Sequence, residues 1–185
     1  MEPIDSRTLR LEPLAVTHAG EMFEALSAQS IYDYMPGGPP SSAAALRERY
    51  AMLERGKSPD GRQIWLNWII RLRSGKCAGF VQATVYPGHT GDLAFVLAPE
   101  FWGRGVAIEA CQAAIPHIAR NFSVTGLFAT VDPKNARSIR LLERLGFVEI
   151  APSGYPHGGA EADDRVFSLS CTPGFVLGAD HDNSR

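Results

Sequence analysis

The chain is poor in cysteine. Three of its 185 residues are Cys77, Cys111 and Cys171, widely spaced and with no C-x-x-C pair. An odd count at such spacing argues against a disulfide framework and for reduced, buried thiols in a cytoplasmic protein. An excess of either charge is also missing: 18 Lys and Arg against 20 Asp and Glu leave a formal charge of −2. A nucleic-acid-binding domain usually carries a strong basic excess, so no such partner is expected. No apolar run approaches the roughly 18 residues that cross a bilayer. The opening MEPIDSRTLRLEP has early acids and no apolar segment of a secretory signal, so no membrane partner is expected either. The five histidines lack H-x-H and H-E-x-x-H spacing, and there is no G-x-S-x-G turn. Neither a metal site nor a hydrolase triad is expected.

What remains is an ordinary globular composition, 45% apolar and 21% charged. The length suits one domain with a real core. We read 1–171 as that domain and 172–185, which has no periodicity, as a loose C-terminal tail. RTLRLEPL at 7–14 alternates as a first strand. Thr17 is placed to cap a short helix carrying Met22, Phe23 and Leu26. Ser41 or Ser42 is placed to cap a second, reaching about Gly56. Between them, Tyr32 to Pro40 is too rich in Pro and Gly to be helical. The period then switches to strands over 64–72, 77–86 and 91–98, with Ser74-Gly75-Lys76 as a tight turn. Helix 105–121, strand 127–131, helix 135–145 and strands 147–150 and 165–170 complete the order β-α-α-β-β-β-α-β-α-β-β. Such an order predicts an α/β (α+β) sandwich with a mixed sheet and helices on both faces, not a doubly wound parallel sheet. Pro116 is expected to kink the long helix.

The most informative stretch runs Asp92-Leu93-Ala94-Phe95-Val96-Leu97-Ala98-Pro99-Glu100-Phe101-Trp102-Gly103-Arg104-Gly105-Val106-Ala107. It reads as a strand, a glycine turn and a helix start. Such a turn leaves backbone N–H groups unpaired at the positive end of the helix dipole, where phosphates bind. Two glycines one residue apart let the backbone approach a pyrophosphate with no Cβ in the way. The nucleoside-triphosphate loop needs a Gly-Lys-Ser/Thr ending, which is absent. The dinucleotide fingerprint fails at its third glycine, where Ile108 stands. Taken alone, the Gly-x-Gly also fits a plain strand-to-helix turn.

Some 30 residues later comes Asn135-Ala136-Arg137-Ser138, ending at Gly146-Phe147. The two segments together resemble the GNAT family of acyl-CoA-dependent N-acetyltransferases, in the branch of the bacterial ribosomal-protein N-terminal acetyltransferases. The family turn, Gln/Arg-x-x-Gly-x-Gly/Ala, is matched by Trp102-Gly103-Arg104-Gly105-Val106-Ala107. The Tyr-Met-Pro-Gly-Gly-Pro loop and the IIRLRSGKCAGF hairpin are similar to that branch as well. The likeness covers about residues 7–170.

That resemblance implies a mostly antiparallel sheet with a splayed central strand, and acetyl-CoA as cosubstrate without a metal. It implies Phe95, Val96 and Leu97 along the pantetheine arm and the amides of Trp102 to Ala107, beside Arg104, on the pyrophosphate. Asn135 would contact the pantetheine or an ordered water, and Ser138 would protonate the departing thiolate. As residues alone, Asn135 also reads as a helix cap and Ser138 as a first-turn residue. Asp92 stands where the branch carries Glu, so its shorter side chain calls for a water relay. Some relatives place a base near His157, Glu161, Asp163 and Asp164, which as residues read as solvated loop positions. Tyr32, Asp33 and Tyr34 would line the entrance for the amine, a peptide N-terminus or a small molecule. The rival readings are the same chemistry on a polyamine, amino acid or aminoglycoside, and a non-catalytic acyl-CoA-binding module. Either a monomer or a homodimer fits the sequence.

Overall fold

A computed structural model describes residues 1–158, 160 and 163–171; the expected tail at 172–185 and Glu161 lie outside them. In chain order the elements are β1 (Ile4–Asp5), β2 (Leu9–Pro13), α1 (Ala19–Ala25), α2 (Ala43–Leu53), β3 (Ile64–Leu72), β4 (Cys77–Tyr86) and β5 (Thr90–Leu97). There follow α3 (Val106–Asn121), β6 (Gly126–Val131), α4 (Ala136–Arg144), β7 (Val148–Ile150) and β8 (Arg165–Ser170). The strands form one eight-stranded sheet in the order β1-β2-β3-β4-β5-β6-β8-β7, with every neighbouring pair antiparallel except β5 and β6. This is the mixed, mostly antiparallel sheet expected.

Alternation assigns the two faces of the sheet. Leu9, Leu11, Leu66, Trp68, Val81, Leu93 and Leu97 point to one side, where they meet α3 through Ala110, Cys111, Ala114, Ile115 and Ile118, and α4 through Ile139 and Leu142. Ile69, Phe80 and Val96 point to the other, beneath Met22, Leu26, Leu46 and Tyr50 of the α1–α2 layer. A helix stripe with 3.6 periodicity packs on a strand face with period 2, so each layer buries its apolar stripe against the sheet. Cys111 is fully buried and burial pushes its thiol up to about 12, so it is inert packing.

Two details depart from the sequence reading. Thr17 caps nothing: a short 3₁₀ turn at Val16–His18 precedes α1, and the His18 Nδ1 accepts the Ala15 amide at 3.0 Å. A histidine ring thus does what a threonine hydroxyl was expected to do. The first strand is shorter than 7–14 and gains a two-residue partner, β1, whose turn is fastened to the far helix layer. Glu109 near the start of α3 accepts from the Ser6 hydroxyl, the Thr8 hydroxyl and the Thr8 amide at 2.6–2.8 Å. Ser42 caps α2 by accepting the Ala45 amide, as the Ser/Thr rule requires.

Candidate functional site

The site begins where two strands part. β5 pairs with β4 over its whole length, but with β6 only from Thr90 to Asp92, opposite Gly126 to Phe128. Beyond Asp92 the β6 side of β5 has no strand partner among the described residues, so the two strands part there. Phe95, Val96 and Leu97 are the residues along that edge. Gly79 of β4 supports it from behind. Its φ is +152°, and a Cβ there would run into the Val96 carbonyl and lie 2.8 Å from Leu97 Cα. Only glycine lets β4 come this close.

At the end of β5 the chain turns through Gly103 (φ +72°) and Gly105 (φ +79°) into α3, sixteen residues long. Nothing lies within 4 Å of where a Cβ would sit on either glycine, so positive φ demands glycine here and the space beyond is free. Among the described residues the amides of Gly103, Arg104 and Gly105 have no acceptor, and those of Val106 and Ala107 belong to the first turn, which has none within the helix. The Trp102 amide is different: it donates to Pro99 O at 3.1 Å, which removes it from the set expected to face a pyrophosphate. Its indole Nε1 donates to Leu97 O at 2.9 Å. Arg104 is exposed at the tip.

α4 starts beside this turn. The Arg137 guanidinium lies 4.0 Å from the Trp102 ring centroid, a cation–π contact that joins the two sequence motifs. Asn135 Oδ1 accepts the Ser138 amide at 3.1 Å, so Asn135 is a helix cap. The half-buried Ser138 hydroxyl has no hydrogen-bond partner among the described residues.

Where β5 and β6 diverge, Asp92 gathers three donors. Tyr86 and Tyr155 each donate a hydroxyl to Oδ2 at 2.9 Å, and His157 Nδ1 lies 2.8 Å from Oδ1. With a carboxylate as its partner Nδ1 donates, and the other ring nitrogen, Nε2, lies 2.9 Å from the Thr90 hydroxyl. His157 stacks on Tyr86, with centroids 3.8 Å apart, and meets Phe128 edge-on. Its side chain is 4% exposed, against 25% for Asp92. The expectation of a solvated His157 is thus corrected: three aromatic rings and two hydrogen bonds enclose it. Burial, then the Asp92 charge, push the Tyr86 hydroxyl up to about 12, and the same causes raise Tyr155. Both remain donors at neutral pH. Asp163 is exposed as expected, and Asp164 is half-buried.

Tyr32 turns inward, its hydroxyl donating to Leu26 O at 3.0 Å, while Asp33 and Tyr34 are exposed on the loop before α2. No group of metal-ligating side chains is found among the described residues. The sequence reading missed Tyr86, Thr90, Tyr155 and Arg137. Thr90 and Asp92 carried a signal, since two polar residues at i and i+2 share one face of a strand. Tyr155 and His157 carried none, because only the tertiary fold brings their loop to β5.

Comparison with known proteins agrees with this geometry. The family pattern described as "Acetyltransferase (GNAT) domain" matches residues 8–148. The uncharacterized N-acetyltransferase YnaD of Bacillus subtilis (strain 168) is 24% identical over 127 residues, 68% of this chain and 70% of its own. A GNAT-family acetyltransferase from Bacillus anthracis shares the fold with a TM-score of 0.75 at 21% identity, over 92% of this chain and 99% of its own. The ribosomal L7/L12 alpha-N-protein acetyltransferase RimL, solved in complex with coenzyme A, shares it with a TM-score of 0.75 at 17% identity, over 91% and 98%. The family pattern spans most of the chain, including the glycine turn and the helix after the parting strands, and the chain belongs to the GNAT family of acetyltransferases.

Proposed function

We propose that this protein transfers the acetyl group of acetyl-CoA to a primary amine, at a peptide N-terminus or on a small molecule, by direct attack of the amine on the thioester. The observation that carries the reading is the position of Asp92. Its carboxylate sits where β5 and β6 part, on the same sheet face as Val96, on the last β5 residue that pairs with β6.

Acetyl-CoA fits the residues present. The free amides from Gly103 to Ala107 take the pyrophosphate, with α3's dipole behind them. The edge at Phe95 and Val96 takes the amide groups of the pantetheine arm, with the Leu97 carbonyl already held by the Trp102 indole. Arg104 adds a cation near the phosphates. In the reaction the amine nitrogen bonds to the thioester carbon, a tetrahedral oxyanion forms, and the C–S bond then breaks. Fixed backbone donors on the β5 edge stabilise that oxyanion, an effect worth about 3–4 kcal/mol for one such donor.

Proton transfer falls to two groups. A carboxylate has about four lone-pair sites; three of those on Asp92 are filled by Tyr86, Tyr155 and His157. The remaining site accepts from a water that takes the proton of the attacking amine. A peptide α-amine, with a pKa of about 7.7–8.0, needs little help from such a relay, whereas a lysine near 10.4 needs more. The Ser138 hydroxyl, with no partner among the described residues, gives its proton to the thiolate and recovers one from solvent. The test is free-thiol release from acetyl-CoA across a panel of N-terminal peptides, amino acids, polyamines and aminoglycosides. Amine-dependent release supports the reading; CoA binding without release for any amine overturns it.

A further inference from the structure

Beneath α2 the fold holds a cavity of about 200 Å³ that no step above uses. Its wall is apolar, built by Leu14, Leu26, Leu46 and Phe80 among others, and it ends at Val96 on β5. Apolar cavities of about 150 Å³ hold a benzene ring, so an aromatic or branched aliphatic group fits. The cavity shares the sheet face of Asp92. The row Ile69–Phe80–Val96, the row Asn67–Gln82–Ala94 and the row Trp65–Thr84–Asp92 lie side by side across β3, β4 and β5. Its Asn67–Gln82 floor is one row from the row that carries Asp92, on the same sheet face.

Its polar features are few, and of these the Tyr32 hydroxyl is bonded to Leu26 O. Asn67 and Gln82 stand directly opposite each other on its floor, and neither side-chain amide has a hydrogen bond among the described residues. Asn67 is 5% exposed. Tyr50, 3% exposed, has a fully buried hydroxyl with no partner. Burial raises its pKa, so it stays a donor. Arg49, at the rim, is in no ion pair among the described residues, and none of the lining residues is Asp or Glu. A buried polar group without a partner is costly: the Tyr50 hydroxyl is such a group, and together with the Asn67 and Gln82 amides and the exposed Arg49 it offers partners to a polar ligand. Tyrosine O–H and guanidinium donate, while the Asn67 and Gln82 amides offer both N–H donors and C=O acceptors, so the complement is a carbonyl or carboxylate oxygen beside an amine. A hydrocarbon acyl chain leaves every one unmatched. A second ammonium meets Arg49 and no counter-charge.

We propose that this cavity selects the acceptor, and that the acceptor is an α-amino carbonyl compound with an uncharged apolar or aromatic side chain. This inference rests on the acetyl-transfer reading for its place in the reaction, but not for its test. Calorimetric titration of the full-length protein with unreactive CoA present measures acceptor binding whether or not transfer occurs. The probes are phenylalanine, phenylalaninamide and a tripeptide beginning with Phe, against lysinamide, putrescine and kanamycin. The Phe probes should bind at least about tenfold more tightly than the polycations, in the range one apolar pocket discriminates. Comparison within the Phe set separates a free amino acid from a peptide end. Ala45→Trp fills the cavity from α2 and should weaken phenylalaninamide about tenfold or more with CoA affinity unchanged. Gln82→Leu should weaken phenylalaninamide more than phenethylamine, which lacks the carbonyl. Tighter binding of the polycations, no binding of any Phe probe, full phenylalaninamide affinity in a folded Ala45→Trp protein, or a marked preference for octanoyl-CoA over acetyl-CoA overturns the inference. Loss of acetyl transfer with Phe-probe binding intact overturns the acetyl-transfer reading instead.

Discussion

His157 Nδ1 lies 2.8 Å from Asp92 Oδ1, and the other ring nitrogen lies 2.9 Å from the Thr90 hydroxyl. The loop after β7 thereby pins a carboxylate on β5 in one orientation, using a ring held between Tyr86 and Phe128. Such an arrangement fixes where the free lone pair of Asp92 points.

Asp92→Asn should therefore lower kcat by about 100-fold or more, the usual scale for a proton-transfer residue, with acetyl-CoA affinity unchanged. His157→Ala should lower it less, since the carboxylate survives but loses its orientation, and His157→Gln should restore part of the loss by donating one hydrogen bond. Steady-state rates at saturating acetyl-CoA decide this. Wild-type turnover by Asp92→Asn would move the base elsewhere.

The parts of this arrangement differ in how far the sequence reveals them. Runs rich in β-branched, aromatic and aliphatic residues bounded by turn residues locate β3, β4 and β5 to within a residue, although β3 is buried on both faces and shows no clean alternation. The glycine turn is legible for a local reason, since positive φ at Gly103 and Gly105 admits almost nothing else. The capping Asn135 is legible for the same kind of reason. Enclosure is not local. Nothing within five residues of His157 signals that it is buried, because its neighbours Tyr86 and Phe128 come from other strands. The cavity is equally silent: Asn67 sits mid-strand in a run of apolar residues, where alternation reads it only as an interruption.

Gly105→Val and Gly79→Ala should fail in opposite ways. At Gly105 the added side chain meets no protein atom within 4 Å, so the cost to the fold is the positive φ alone, about 1–3 kcal/mol. The branched group projects into the space assigned to the pyrophosphate, and CoA affinity should fall by at least about tenfold. At Gly79 the Cβ collides with backbone of β5, which no rotamer relieves, so the melting temperature should collapse first. Thermal melts and CoA titration of both variants separate the effects.

Acid should unfasten the α1 side of the sheet. Arg71 Nε binds Glu12 at 2.7 Å and its Nη1 binds Glu21 at 2.9 Å. For Glu12, burial pushes the pKa up, but Arg71 and His18 outweigh it; for Glu21 the Arg71 hydrogen bond dominates. Both carboxyls are held below their ordinary value, so their stabilisation is complete above the unfolded pKa, about 4.3, and drains away as pH falls through the lower folded values. Melting temperature should decline from pH 5 to pH 3. In Arg71→Gln it should start lower at pH 7 and decline less, because the partner that favours the charged carboxyls is gone. An equal decline in both proteins would place the acid sensitivity outside this cluster.

Ser138 and Asn135 separate chemistry from capping within a single turn of α4. Asn135 Oδ1 accepts the Ser138 backbone amide, so the cap depends on the Asn135 side chain and not on the Ser138 hydroxyl. Asn135→Ala should cost about 1 kcal/mol, the usual value of a cap, and lower the melting temperature by about 2–4 °C for a chain of this size. Ser138→Ala removes a hydroxyl without a partner among the described residues and puts a better helix former in the first turn, so its melting temperature should equal or exceed that of the wild type. If that hydroxyl protonates the leaving thiolate, kcat should fall about 10–100-fold while acetyl-CoA affinity holds, since the interaction is made chiefly in the transition state. The loss stays moderate because a thiolate with a free pKa of about 8.5 is already a fair leaving group. A bromo-substituted thiophenyl ester in place of acetyl-CoA sharpens the comparison: its thiolate needs no proton, so Ser138→Ala should handle it at close to the wild-type rate. An equal loss on both donors would mean that Ser138 shapes the cleft rather than supplying a proton.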